Sequence, residues 1–270
     1  MKFSDLAEKY IEAKLICPQY QARLRAVAED CGEVSAEAIN EYLRWRQPQV
    51  SSITLRNERT NLLTLWRYGY EVGLLDLSPR GVAKVRVRRP PTKAWTPDQL
   101  RTLLRAADSF HRRTMSSGAN GRWFLRAWIL LGYETGARKG DLWAFRDTHL
   151  DAYSISWTQS KTGDPLTRVL TDQCREAIDE MLLRGDGRII GWASTMRQSS
   201  RMMANCIRRA GLQGTSKWLR RSGATHCEMI QPGAGRLHLG HRSPALFEQA
   251  YCDWAQLRSV TPSVPPLLED

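Results

Sequence analysis

Tyr251 stands ten positions after His241 in HLGHRSPALFEQAYCDW, near the end of a 270-residue chain that carries 40 lysines and arginines. There is no phosphate-cradling GxxxxGK[ST] and no carboxylate cluster for Mg²⁺, so neither ATP use nor two-metal cleavage of phosphodiesters is indicated. Any chemistry on a phosphodiester would then fall to side chains. Its oxygens are negative and gain charge as it reacts, and planar, permanently charged guanidinium groups can neutralise them without a proton change. Two arginines stand where such a clamp can be held. Arg138 follows a glycine at an expected helix break, with Asp141 three residues on to orient it, and Arg220 sits in SKWLRRSGAT at an expected helix start. Taken alone, each reads more readily as a surface arginine. His238, His241 and Cys227 lack a second pair at ligand spacing, so no metal and no other cofactor is expected.

The charge balance points the same way. A formal net charge of +12 and a pI near 9.7 favour a polyanionic partner, nucleic acid before membrane surface. From Gly187 to Cys227 there is no Asp or Glu, while Arg188, Arg197, Arg201, Arg208, Arg209, Lys217, Arg220 and Arg221 are basic. A solvated cationic surface is the alternative, and it accounts less well for so one-sided a run. With 42% apolar and 25% charged residues the chain can bury one or two cores. The six cysteines include no CxxC pair, MKFSDLAEKY has no signal-peptide core, and no apolar run approaches the roughly 18 residues of a membrane span. These features suggest reduced thiols and a cytoplasmic protein without a membrane partner.

The elements that must position these residues divide near residue 90. Phe3, Leu6, Ala7, Tyr10 and Ile11 repeat at helical spacing, Ser35 can cap a helix carrying Ile39, Tyr42 and Leu43, and Leu55 to Val72 offers a third. Residues 1–85 are expected to form a small helical domain. Residues 86–94 form a basic linker that Pro90-Pro91 keeps from being a continuous helix, although a merely solvated tether fits the composition equally well. A second domain, 95–270, begins at the capping box Thr96-Pro97-Asp98-Gln99. Trp123 to Leu131 predicts a buried helix ending at Gly132 or Gly136. Tyr153, Ile155 and Trp157 alternate with polar residues as a strand does, SKTGD predicts a hairpin turn, and Leu166 to Leu170 a returning strand. Thr171 can cap a further helix, and the proline-rich tail after Val260 is expected to be irregular. The fold class is mainly α with a small antiparallel β-sheet.

In order along the second domain, YETGARKGDL, SKTGDPLTRVL, KWLRRSGAT and LGHRSPALFEQAY resemble the tyrosine recombinase (phage integrase) family. The TG-x-R-x-x-[ED]-L box falls on Thr135, Gly136, Arg138, Asp141 and Leu142. The hairpin lysine is Lys161, H-x-x-R is Lys217 and Arg220, the LGH box ends at His241, and the nucleophile is Tyr251. SSITLRNERTNLLTLWRYGYEVGLLDLSP is similar to the family's helical, SAM-like core-binding domain. The resemblance implies a two-domain, C-shaped clamp on double-stranded DNA and a site-specific recombinase or integrase of a phage or other mobile element. Cleavage would run through a 3′-phosphotyrosyl bond that keeps the energy of the cut bond for religation. It further implies a homo-tetramer on paired recombination sites, nucleoid association and a directionality factor as a compatible partner, while the sequence is expected to leave no room before residue 1 for the arm-binding domain that some integrases carry.

The roles implied for single residues follow from the same resemblance. A phenol titrates at about pH 10, so Tyr251 needs nearby cations. Arg138, Arg220 and His241 would stabilise the transition state, and Lys161 would protonate the leaving 5′ oxygen. Arg86, Arg88, Arg89 and Lys93 in the linker, with Arg221 and Arg242, would contact DNA. Tyr251 as a half-buried aromatic of a core-facing helix and Lys161 as a plain turn lysine are the alternatives from their own surroundings. Lys217 departs from the usual histidine; a lysine can touch a phosphate oxygen but cannot act as a near-neutral base. Type IB topoisomerases also place lysine there, which keeps a topoisomerase-like strand transferase as an alternative, beside a non-catalytic recombinase-like binder. His241 follows Arg220 by 21 positions, an interval shorter than usual that Gln231-Pro232-Gly233 is expected to absorb as a tight turn.

Overall fold

The computed structural model describes residues 1–87, 91–241 and 243–258. Arg88, Arg89, Arg242 and the tail after Val260 lie outside the described residues. The chain forms two compact units, Met1–Pro90 and Pro91–Asp270.

The first unit holds four helices: α1 (Phe3–Ala13), α2 (Pro18–Cys31), α3 (Ala36–Arg46) and α4 (Ser52–Glu71). Ser35 accepts from the Ala38 amide at 3.0 Å and Ser51 from the Thr54 amide at 3.2 Å, so α3 and α4 start at side-chain caps. Phe3, Leu6, Leu24, Ile39, Leu62 and Leu65 fill the core. The segment after α4 is bonded back onto it. Trp66 Nε1 donates to the Leu77 carbonyl at 2.8 Å and Arg59 Nε to the Ala83 carbonyl at 2.6 Å. Helix α2 has no counterpart among the helices expected from the sequence.

In the second unit, α5 (Pro97–Asp108) starts at the expected capping box: Thr96 Oγ1 accepts from the Gln99 amide at 3.3 Å and Gln99 Oε1 from the Thr96 amide at 3.0 Å. Helix α6 (Gly121–Glu134) is buried around most of its circumference and packs against α5, α8 (Asp172–Leu182) and α10 (Lys217–Ile230). It runs through Gly132 and does not end there. A Cβ at Gly132 would lie 3.0 Å from Leu219 Cδ1, so that glycine serves the close approach of α10. The short helix α7 (Lys139–Ala144) follows, then an antiparallel hairpin of β1 (Ser154–Thr158) and β2 (Pro165–Val169), with Trp157 opposite Leu166. Ile155 and Trp157 face the core as expected, but Tyr153 is 79% exposed and precedes the strand. Asp151 Oδ1 accepts from the amides of Tyr153 and Ser154 at 2.9 and 2.8 Å, a side-chain turn that places Tyr153 outside the ladder. Helices α9 (Met196–Arg209), α11 (Ala234–His238), α12 (Pro244–Ala250) and α13 (Trp254–Arg258) complete the unit.

Two short helices flank Tyr251. α12 ends at Ala250, Tyr251 occupies the turn, and α13 folds back. Asp253 Oδ2 accepts from the Ala94 amide at 2.9 Å, and Gln256 Nε2 donates to the Ala94 carbonyl at 3.0 Å. The segment following Tyr251 is thus bonded within its own unit.

Candidate active site

Three turns of the second unit converge. At the first, Thr135 Oγ1 donates to the Leu131 carbonyl and accepts from the Ala137 amide at 3.0 Å, closing α6. Gly136 then takes φ +59°, and Arg138 caps α7. A Cβ at Gly136 would fall 2.7 Å from His238 Nε2, so glycine is required there by both conformation and space.

Arg220 arrives from the first turn of α10 and is only 6% exposed. Its Nη1 donates to the Gly136 carbonyl, and its Nη2 lies 3.0 Å from His241 Nε2 and 3.5 Å from the Leu239 carbonyl. Its Cζ stands 5.1 Å from the centroid of the Tyr251 ring. Burial pushes Arg220 down to about 10, with Tyr251 and Asp141 opposing and Arg138 adding to the shift, so it remains charged at neutral pH. Among the described residues neither Arg138 nor Arg220 has a carboxylate oxygen within salt-bridge distance.

The third turn carries His241, which follows Gly240 at φ +64°. Its ring meets that of Tyr251 edge to face, centroids 4.6 Å apart. Burial, then the charges of Arg220, Arg138 and Lys161, push His241 down to about 4. The ring is therefore neutral at pH 7. Because Arg220 can only donate, Nε2 is the acceptor and Nδ1 carries the proton. Arg168 on β2 holds the approach to this turn, its Nη2 donating to the carbonyls of Leu237 and His238 at 2.6 and 2.8 Å.

Tyr251 is half-buried, and its carbonyl accepts from Thr225 Oγ1 at 3.3 Å. The same Thr225 oxygen accepts from the Asp253 amide at 3.1 Å, which fixes the turn around the tyrosine. Lys161 is exposed at the tip of the β1–β2 hairpin. Lys217 is exposed at the first position of α10, on the same face as Arg220 by helical spacing. Arg221 is half-buried, pushed below the usual arginine range by burial with Tyr251 opposing. Arg86 and Lys93 are exposed.

Asp141 corrects one expectation. It is 4% exposed, and its Oδ1 accepts from the amide and hydroxyl of Ser160 at 3.1 and 2.6 Å; it orients the hairpin and makes no hydrogen bond to Arg138. The acceptor for Arg138 Nη1 is Gln159 Oε1. Sequence reasoning passed over Gln159 and Arg168, since a glutamine beside a turn and an arginine on a strand carry no local signal. Among the described residues no group of three His, Cys, Asp or Glu is placed to hold a metal, and no helix is long and apolar enough to cross a membrane. The assembled site can receive an anion: the Arg220 guanidinium and a neutral imidazole flank the Tyr251 ring, and Gln159 holds Arg138 to the turn before His241.

The chain matches no protein-family model and no curated protein. It is similar to several solved structures. The lambda integrase tetramer bound to a Holliday junction aligns with a TM-score of 0.67 at 18% identity, covering 89% of this chain and 76% of that one. The Tn1549 transposon integrase in complex with a circular intermediate DNA gives 0.69 at 15% identity, with 96% and 98% covered. The XerH site-specific recombinase in a post-cleavage complex on a palindromic difH substrate gives 0.70 at 18% identity, with 89% and 77% covered. The mainly helical chain with its two-stranded antiparallel sheet has the fold of these tyrosine recombinases and integrases.

Proposed function

We propose that this chain, with its tyrosine recombinase fold, is a site-specific DNA recombinase of a phage or other mobile element, acting through Tyr251 without metal or ATP. The observation that carries the reading is the placement of Arg220. One buried guanidinium stands beside the Tyr251 ring and His241, with no carboxylate oxygen of the described residues within salt-bridge distance of it. The Tyr251 oxygen attacks the phosphorus, the bond from phosphorus to the 5′ oxygen breaks, and Lys161 gives that oxygen its proton. The phenol's proton is released to solvent. Arg138, Arg220 and His241 stabilise the oxygens that gain charge, and Lys217 adds a point charge. Asp141 holds the hairpin. Religation reverses the step, the 5′ hydroxyl displacing Tyr251.

In this reading residues 1–85 are the core-binding domain, 86–94 the linker and 95–270 the catalytic domain, and the substrate is duplex DNA. Arg86, Arg88, Arg89, Lys93, Arg221 and Arg242 contact its backbone. Exchange between two duplexes requires four cleaved strands and hence four copies. The lambda integrase tetramer on a Holliday junction supports that stoichiometry by its fold.

The test is a pool of nicked duplexes with randomised arms, in which cleavage releases a short strand and traps the protein. Expected are adducts that survive denaturation, a peptide map placing DNA on Tyr251, and a 5′ hydroxyl on the released strand. Tyr251→Phe should bind the selected sequences and form no adduct. Exchange between two duplexes bearing the selected site supports a recombinase. Relaxation of site-free supercoiled plasmid without exchange would make it the topoisomerase-like enzyme that Lys217 keeps in view. Binding with no adduct from any duplex would make it a non-catalytic binder.

A further inference from the structure

We infer that Gln159 is a positioning residue of this site: its side-chain amide fixes the Arg138 guanidinium to the turn that carries His241, and thereby sets the geometry of the phosphate clamp. The inference rests on the reading of Arg138 and Tyr251 given above.

Gln159 lies beside an exposed hairpin turn yet is only 1% exposed. Burying an amide is costly unless both its ends are bonded, and here both are. Oε1 accepts from Arg138 Nη1, and Nε2 donates to the Leu239 carbonyl at 3.2 Å, the carbonyl that also faces Arg220. One side chain thus joins the turn after α6, the hairpin and the turn before His241. Its backbone is fixed as well, the amide donating to the Asp164 carbonyl and the carbonyl accepting from the Gly163 amide, both at 2.9 Å. Gly240 leaves it space, since a Cβ there would stand 2.5 Å from Gln159 Nε2.

The choice of an amide has a chemical reason. Arg138 must be held and must keep its charge for the phosphate. A carboxylate at this position would accept equally well, but would neutralise the guanidinium and present a second acceptor to the Leu239 carbonyl. Glutamine aims one N–H and leaves the remaining donors of the fork for an anion.

The test compares single-turnover cleavage of a selected nicked duplex by wild type, Gln159→Met and Gln159→Glu, each also in the Arg138→Ala background, with melting temperatures recorded. Gln159→Met keeps the volume and removes both hydrogen bonds. It should cleave roughly 10²-fold more slowly, the effect of a misplaced reacting group, with DNA affinity unchanged. The slowing should be the same on a substrate with a 5′-bridging sulfur, and Gln159→Met should add nothing once Arg138 is alanine. Gln159→Glu should slow cleavage and also weaken DNA binding; if Gln159→Met fails to fold, this variant carries the same cycle. Normal cleavage by Gln159→Met, additive losses with Arg138→Ala, or rescue by the sulfur substrate, which would route the effect through Lys161, each overturns the inference. A wild type that forms no adduct overturns the Tyr251 reading and this inference together. A wild-type adduct with an unimpaired Gln159→Met sinks the inference alone.

Discussion

Arg220 and Lys161 serve the same proposed reaction from opposite physical situations. Arg220 is buried, bonded to a backbone carbonyl and braced by His241. Lys161 is exposed at the tip of a hairpin whose base is anchored by Ile155 and Trp157 in the core and by Gln159 and Ser160 beside the turn. The difference matches what each must do. Stabilising charge on a phosphate works best when the donors are already oriented and dry. A proton donor must meet a leaving oxygen that exists only once DNA is in place, and its proton must be replaced from solvent after each turnover.

If this division holds, Arg220→Ala should damage both folding and chemistry. Cleavage should fall by about 10³, and melting should drop because the Gly136 carbonyl loses its donor, a loss of about 1–3 kcal/mol. An Arg220→Ala protein that cleaves normally would remove the residue from the site. Lys161→Ala should slow cleavage by about 10² while leaving the melting temperature where it was. A 5′-bridging sulfur, which departs without a proton, should restore most of that loss, and equal defects on both substrates would take the acid role from Lys161. Lys217→His should stay within about tenfold of wild type, since an exposed point charge is a weaker requirement than an oriented fork; a loss as large as that of Arg220→Ala would place Lys217 with the buried group.

The smallest expected effect concerns pH. Burial, then the charges of Arg168 and Arg220, push His238 down to about 4, and His241 is pushed equally low. An unfolded histidine titrates at about 6.5. Between those values the unfolded chain binds more protons, so stability is complete above about pH 6.5 and declines as pH falls toward 4. Melting temperatures at pH 7.5 and 5 should show the decline, and His238→Gln should reduce it. An unchanged slope would mean that His238 is not held neutral in the fold.

The same contrast explains what was legible in the sequence. Arg138 and His241 follow glycines that announce turns, Arg220 and Tyr251 are legible through the order of the boxes along the chain, and the capping box before α5 states its own boundary. Helix α2 was not expected, because Leu24, Val27, Ala28 and Cys31 give it a narrow apolar stripe among polar residues. The partner of Asp141 was misjudged for a related reason. Proximity along the chain suggested Arg138, whereas folding brings Ser160 from a hairpin nineteen positions away. Gln159 and Arg168 act through tertiary bonds alone, and neither spacing nor composition records those.

The turn around Tyr251 decides to whom the tyrosine belongs. Thr225 holds its carbonyl, and Asp253 and Gln256 clasp Ala94, so the tyrosine and the segment after it are fastened within the copy that supplies Arg220 and His241. In an assembly of several copies, lending the phenol to a neighbour would break those bonds. Attack in cis leaves them whole. In the proposed reaction, mixing a copy that lacks the tyrosine with one that lacks the guanidinium should then yield no working hybrid site.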